Sequence, residues 1–212
     1  MTLVKICGIT SLDDALAAVD AGADALGFNF YARSPRYISP ANARKITDRL
    51  PQSLLKVGVF VNEELQSVSR SLTEAGLSAV QLHGDESPEY CSDLTATYVI
   101  KAFGARDNLD VSSYQVDAIM LDTKDDLLRG GTGRVFDWSI ARRANSASAN
   151  NSKPKLFLAG GLSPENVAEA IATVRPYAVD ACSSLEQTPG KKDHARMRAF
   201  VNAVRSVTLD AD

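Results

Sequence analysis

The chain has 212 residues, of which 45% are hydrophobic and 23% charged, and a formal net charge of −3. That length favours one domain, the composition excludes a disordered polypeptide, and the mild acidity disfavours nucleic acid or an anionic membrane as partner. Cys7, Cys91 and Cys182 are too scattered for a disulfide framework and fit a reducing, cytoplasmic compartment; His83 and His194 lack metal-ligand spacing; no signal-peptide core or membrane-length apolar run is present.

Along the chain, short apolar runs rich in β-branched residues alternate with longer amphipathic stretches. The runs predict strands near 3–7, 24–30, 55–61, 78–82, 98–103, 117–122, 155–159 and 177–181. Helical periodicity occupies 11–21, 40–49, 63–75, 87–94, 137–144, 164–174 and 192–207, whereas 105–115 holds at most one turn. Ser39-Pro40 and Ser163-Pro164 each place a capping hydroxyl before a proline suited to the first helical position, and Asp13 and Asp14 fall in a first turn. Alternate strands open with a similar sequence in which alanine precedes a branched apolar residue, as in Ala25-Leu26, Ala79-Val80, Ala118-Ile119 and Ala178-Val179. The strands between them begin with or contain Lys5, Lys56, Lys101 and Lys155. A two-strand rhythm suits a barrel whose alternate strands fill alternate interior layers. The small polar stretch 144–152 predicts a flexible loop at the end of the barrel away from chemistry.

Eight strands with intervening helices imply a parallel sheet. An open doubly wound sheet would carry a glycine-rich dinucleotide loop after the first strand, and Cys7-Gly8-Ile9-Thr10 is not one. The α/β architecture expected is a single (β/α)8 barrel over residues 1–212.

In such a barrel, chemistry sits at the C-terminal ends of the strands. Cys7 closes the first strand, either as a small buried hydrophobe or as a nucleophile or base. Asp122 ends an apolar strand, where it is a cap, an ion-pair partner, or an acid whose pKa partial burial raises. Gly160-Gly161 and Ser183-Ser184 follow the seventh and eighth strands, where barrels often cradle phosphate on backbone N–H groups. Arg36 is a solvated loop residue or a carboxylate clamp. His83 is a structural or a catalytic histidine, and Asp180 orients substrate or satisfies buried donors. The loop from Lys124 to Gly133 closes over substrate or is a flexible turn.

These pieces resemble the phosphoribosylanthranilate isomerase family of tryptophan biosynthesis. The resemblance is carried by Lys5-Ile6-Cys7-Gly8-Ile9-Thr10, Gly27-Phe28-Asn29-Phe30, Ser34-Pro35-Arg36-Tyr37 and Gln81-Leu82-His83-Gly84, then by Leu121-Asp122-Thr123, Gly130-Gly131-Thr132-Gly133, Ala159-Gly160-Gly161-Leu162 and Pro189-Gly190-Lys191-Lys192-Asp193. It implies a TIM barrel that performs a cofactor-free, metal-free Amadori rearrangement of a small phosphorylated aminosugar, as a monomer or homodimer. It assigns Cys7 as general base and Asp122 as general acid. It gives Arg36 the anthranilate carboxylate, and Gly160, Gly161, Ser183 and Ser184 the phosphate; His83 and Asp180 are substrate-binding candidates from their strand-end positions. One departure stands out: where the family usually shows Val-Ser-Ser-Gly-Val-Glu, this chain reads Ala181-Cys182-Ser183-Ser184-Leu185-Glu186. The Cβ of Ser184 would restrict that turn if it required positive φ. The related histidine-pathway isomerase resembles a two-fold repeat with an aspartate pair, and Cys7 in the base position argues against it. Retention of both Cys7 and Asp122 argues against a non-catalytic sugar-phosphate binder.

Overall fold

The computed structural model describes residues 1–94, 97–106, 109–123, 137–146 and 154–208, the side chains of 144–146 excepted. Eight parallel strands close on themselves: β1 (Leu3–Cys7), β2 (Ala25–Asn29), β3 (Leu55–Phe60), β4 (Ala79–Leu82), β5 (Tyr98–Gly104), β6 (Ala118–Asp122), β7 (Lys155–Leu158) and β8 (Ala178–Ala181). Strand β1 pairs with both β2 and β8, which removes the sheet edges. The helices between them are α1 (Leu12–Ala21), α2 (Pro40–Thr47), α3 (Leu65–Ala75), α4 (Pro88–Ser92), α5 (Trp138–Ser146) and α6 (Val167–Val174), and α7 (His194–Arg205) follows β8. After β8 come a 3-10 turn (Ser183–Leu185) and a small antiparallel hairpin, β9 (Glu186–Thr188) and β10 (Lys191–Lys192), for which the sequence offered no signal.

Two layers of apolar packing hold this arrangement. Inside the barrel, Ala25, Ala79, Ala118 and Ala178 meet the larger Val57, Ile100 and Phe157 of the strands between them and Met120 of β6, so the recurrent alanines leave room for bulky neighbours. Outside it, Val4, Ile6, Leu26, Phe28, Val80, Leu158 and Val179 face the helices, as the period-two alternation of each strand requires. The lysine rhythm is only half structural. Lys5 and Lys101 are fully buried, whereas Lys56 is half-buried and Lys155 is exposed with its ammonium over the Tyr177 ring. Lys101 Nζ lies 3.0 Å from Glu86 Oε2 and donates to the Leu82 and Gly84 carbonyls, so it pins the loop that carries His83.

Ser39 caps α2 as expected, accepting from the Asn42 amide, and Ser11, which the sequence had not singled out as a cap, accepts from the Asp14 amide at the start of α1. The helix bounds lie within one or two residues of expectation except at the start of α6. Helix α6 starts at Val167 rather than at Pro164, because Asn166 holds the preceding turn in a loop: its Oδ1 accepts from the Ser163 amide at 2.8 Å and its Nδ2 donates to the Gly161 carbonyl at 3.0 Å. Helix α5 continues through Ser146, into the stretch expected to be irregular. The rest of that stretch, and the loop from Lys124 to Gly133, lie outside the described residues.

Candidate active site

Because all eight strands run the same way, their C-terminal ends open on one mouth, and Cys7, His83, Asp122, Gly160, Asp180 and Cys182 all lie there, at or just beyond those ends. Lys5 and Asp180 are register partners on β1 and β8, and their side chains meet inside the barrel with Nζ 2.8 Å from Oδ1. A buried ion pair of this kind is stable only as a pair. Burial opposes the Lys5 charge, yet Asp180 and Cys7 overcome that and raise its pKa. Burial likewise pushes the Asp180 carboxyl up to about 6, against the pull of Lys5, and the negative charges of Cys7 and Asp122 add to the rise. Asp180 therefore senses both predicted catalytic groups, one from β1 and one from β6.

The Cys7 thiol, two residues above Lys5 on the same face of β1, is held well below the ordinary thiol range. The neighbouring Cys182 thiol is the largest cause; burial opposes it, and the charges of Lys5 and Lys192 assist. Gly27, the register partner of Cys7, leaves the space that the sulfur occupies: a Cβ there would sit 2.6 Å from Sγ. Cys91, by contrast, is buried and its thiol is pushed up to about 11, chiefly by burial.

Asp122 corrects the expectation drawn from its sequence position. Burial does push its carboxyl up, but His83 and Thr123 outweigh that and hold it below the ordinary carboxylate range. His83 Nε2 lies 3.4 Å from Oδ2, and the Thr123 amide donates to Oδ1 at 2.7 Å. The histidine is oriented from behind. The Gln81 side-chain amide nitrogen is a donor only and stands 2.8 Å from His83 Nδ1, which must accept; the Nε2 proton then faces Asp122. Gly160 makes this arrangement possible. Its φ is +85°, and a Cβ there would lie 2.6 Å from the Thr123 amide nitrogen and 3.0 Å from Asp122 Oδ1. Gly160→Ala is therefore expected to cost about 1–3 kcal/mol of stability and to displace Asp122. Chemical denaturation together with turnover would check this, and a variant as stable and active as the parent would refute it.

Arg36 reaches the mouth because its loop folds back on β2, with Tyr37 bridging to Asn29. Its guanidinium forks onto Glu186 of β9, with Nε 2.8 Å from Oε1 and Nη2 2.7 Å from Oε2. The sequence had left Arg36 without a protein partner. Glu186 is shared with the fully buried Lys192, whose Nζ lies 3.0 Å from Oε1 and also donates to the Cys182 carbonyl at 3.1 Å. Burial alone would raise the Glu186 carboxyl, but Arg36 and Lys192 hold it low. Glu186, Lys192, Gln81 and Thr123 were missed by sequence reasoning. Each acts through a partner distant along the chain or through an unremarkable residue type, and only the closed barrel brings them in.

The two loops proposed for phosphate are joined to each other. Gly160 and Gly161 both take left-handed backbone, with φ of +85° and +67°, and among the described residues no group accepts from their amides. Ser184 donates its hydroxyl to the Leu162 carbonyl, which ties the loop after β8 to the loop after β7. Among the described residues only Asn62 and Arg175 are non-glycine residues with positive φ, so Ser184 fits without backbone strain.

The sequence profile of the N-(5'-phosphoribosyl)anthranilate isomerase family matches residues 4–203. The N-(5'-phosphoribosyl)anthranilate isomerase of Citrifermentans bemidjiense is 48% identical over 212 residues, covering 99% of this chain and 100% of its own. The crystal structure of the phosphoribosyl anthranilate isomerase from Thermotoga maritima superposes with a TM-score of 0.88 at 43% identity, over 98% of this chain and 100% of that one. A second crystal structure of such an isomerase, in complex with reduced 1-(o-carboxyphenylamino)-1-deoxyribulose 5-phosphate, gives a TM-score of 0.84 at 42% identity, again over 98% and 100%. The family profile covers nearly the whole barrel and its relatives align with it end to end, and the chain belongs to the phosphoribosylanthranilate isomerase family.

Proposed function

We propose that this mouth isomerises N-(5'-phosphoribosyl)anthranilate to 1-(2-carboxyphenylamino)-1-deoxyribulose 5-phosphate, with Cys7 as general base and Asp122 as general acid. The observation that carries the reading is the pair itself: a thiol favoured as thiolate and a buried carboxyl group, at the same end of one closed barrel and both felt by Asp180. Asp122 gives a proton to the furanose ring oxygen, and the ring opens to an iminium. Cys7 then removes the C2 proton, leaving an enolamine that relaxes to the ketone. One proton leaves the enzyme and one arrives, no electrons are exchanged with it, and the two groups reset through solvent.

Asp122 is ionised in the free mouth, so it must gain its proton as substrate arrives. Bound substrate displaces water from a carboxyl that burial already opposes as an anion, and it brings the negative charges of its own phosphate and carboxylate. Both effects favour the protonated acid. His83 keeps that acid aimed at the ring, and Asp180 lines the sugar site while holding Lys5. The amides of Gly160, Gly161, Ser183 and Ser184 take the phosphate, as left-handed glycines and a short helix start suit an anion.

Arg36 takes the anthranilate carboxylate from its position beside Cys7 and Cys182. Arg36→Ala is expected to raise KM about tenfold or more with little change in kcat, since a lost charge-assisted bond to a carboxylate affects ground state and transition state alike. Steady-state kinetics would decide it; an unchanged KM would remove Arg36 from the site.

We read residues 1–212 as one barrel domain working in the cytosol as a monomer or homodimer. Three thiols outside any disulfide support a reducing compartment, and no described helix is long and apolar enough to cross a membrane. Titration calorimetry with reduced 1-(o-carboxyphenylamino)-1-deoxyribulose 5-phosphate tests the site. The expected result is one ligand per barrel, weakened by loss of Arg36; absence of binding would overturn the reading.

A further inference from the structure

We propose that Glu186 is a positioning residue for Arg36: it grips one edge of the guanidinium and holds the other edge out for a carboxylate on the aromatic ring of the substrate, so that it helps to set specificity for that group. The inference rests on the reading of Arg36 as the partner of the anthranilate carboxylate. Glu186 takes Nε at 2.8 Å and Nη2 at 2.7 Å, and among the described residues Nη1 has no hydrogen-bond partner. A guanidinium carries five N–H donors in one plane, so the edge between Nη1 and Nη2 stays open to a second planar carboxylate. The stem of Arg36 is confined as well. It runs against Gly8, where a Cβ would lie 2.8 Å from Arg36 Cδ.

Glu186 is built to hold a partner rather than to move a proton. Its Oε1 accepts from Arg36 Nε, from Lys192 Nζ at 3.0 Å and from the Gly190 amide at 3.3 Å, and its Oε2 accepts from Arg36 Nη2. A carboxylate with this many donors stays an anion. The hairpin after β8 supplies the third charge. Lys192 is the register partner of Glu186, and its buried ammonium also donates to the Cys182 carbonyl at 3.1 Å. An Arg36–Glu186 pair alone would be neutral and would draw no anion. With Lys192 against Glu186, the cluster keeps one positive charge. Arg36 presents that charge to the mouth, because its side chain is 13% exposed, against 4% for Glu186 and none for Lys192. Glu186 therefore orients Arg36 without cancelling it.

The test is titration calorimetry with two ligands, reduced 1-(o-carboxyphenylamino)-1-deoxyribulose 5-phosphate and its counterpart lacking the carboxylate. The parent should prefer the first by about tenfold or more. Glu186→Gln alone would strand the buried Lys192 ammonium, so the variant used is Glu186→Gln/Lys192→Met. It removes both buried charges and leaves the cluster with the same single positive charge, so the grip on Arg36 is what changes. Its preference for the carboxylated ligand should fall about fivefold or more, while affinity for the other ligand stays within about twofold of the parent's. A preference as large as the parent's, or an equal loss for both ligands, would overturn the inference and leave Arg36 in the site. If Arg36→Ala kept the parent's preference, the reading beneath the inference would fall instead.

Discussion

Cys7→Ala should lower kcat by about 10²–10⁴ while leaving KM within a few-fold of the parent, because a positioned base contributes to the transition state and little to ground-state binding. The alanine removes the sulfur and leaves the strand intact, since Cys7 contributes only the end of β1 and its backbone pairing with Gly27 survives. Lys5 stays paired with Asp180, so no buried charge is stranded. The pH dependence has a definite sign. A base with a lowered pKa stays competent as pH falls, and activity is lost only once the thiolate takes up its proton. The acid limb of the parent's kcat/KM should therefore lie below the ordinary thiol value of about 8.5. An acid limb at or above that value would contradict the environment described for Cys7.

Asp122→Asn should be of similar size, about 10²–10⁴ in kcat, for a different reason. The amide fills the same volume and can still accept from the Thr123 amide, so the end of β6 keeps its shape. It has no acidic proton to give to a ring oxygen. The two single losses should not multiply. Ring opening precedes proton removal, so once the acid is gone the base has little substrate to act on. Cys7→Ala/Asp122→Asn should be far less impaired than the product of the single losses. Single-turnover kinetics of the three variants would measure this, and a fully multiplicative loss would show that the two groups do not serve successive steps of one reaction.

Much of the frame was legible in the sequence. Strand β1 carries the bounds expected of it, and β3 and β5 differ from expectation by a residue at one end, because their apolar runs are bounded by polar or glycine-containing turns. The recurrent Ala25, Ala79, Ala118 and Ala178 were visible as a repeat and proved to be the small residues of the barrel interior. Cys7, Asp122 and Gly160-Gly161 could be placed at one mouth from the sequence because a closed parallel barrel presents all its strand ends there. The charge state of Asp122 was not legible. Its position suggested a raised pKa, but the sign is set by His83 and Thr123, and His83 is itself aimed by Gln81. Arg36 showed the same limitation: its partner Glu186 lies on a hairpin far along the chain, and only barrel closure places the two side by side. Periodicity identifies faces, whereas pairings across the mouth depend on which strand ends meet there.

The most direct test of the account follows the fluorescence of freshly prepared phosphoribosylanthranilate as it is consumed, with the parent protein and Cys7→Ala in parallel and no added metal or cofactor. Rapid consumption by the parent, slowed by at least about a hundredfold in the variant, is the predicted result. Equal rates in the two proteins would contradict the assignment of the thiol as base, and no consumption by either would contradict the proposed reaction.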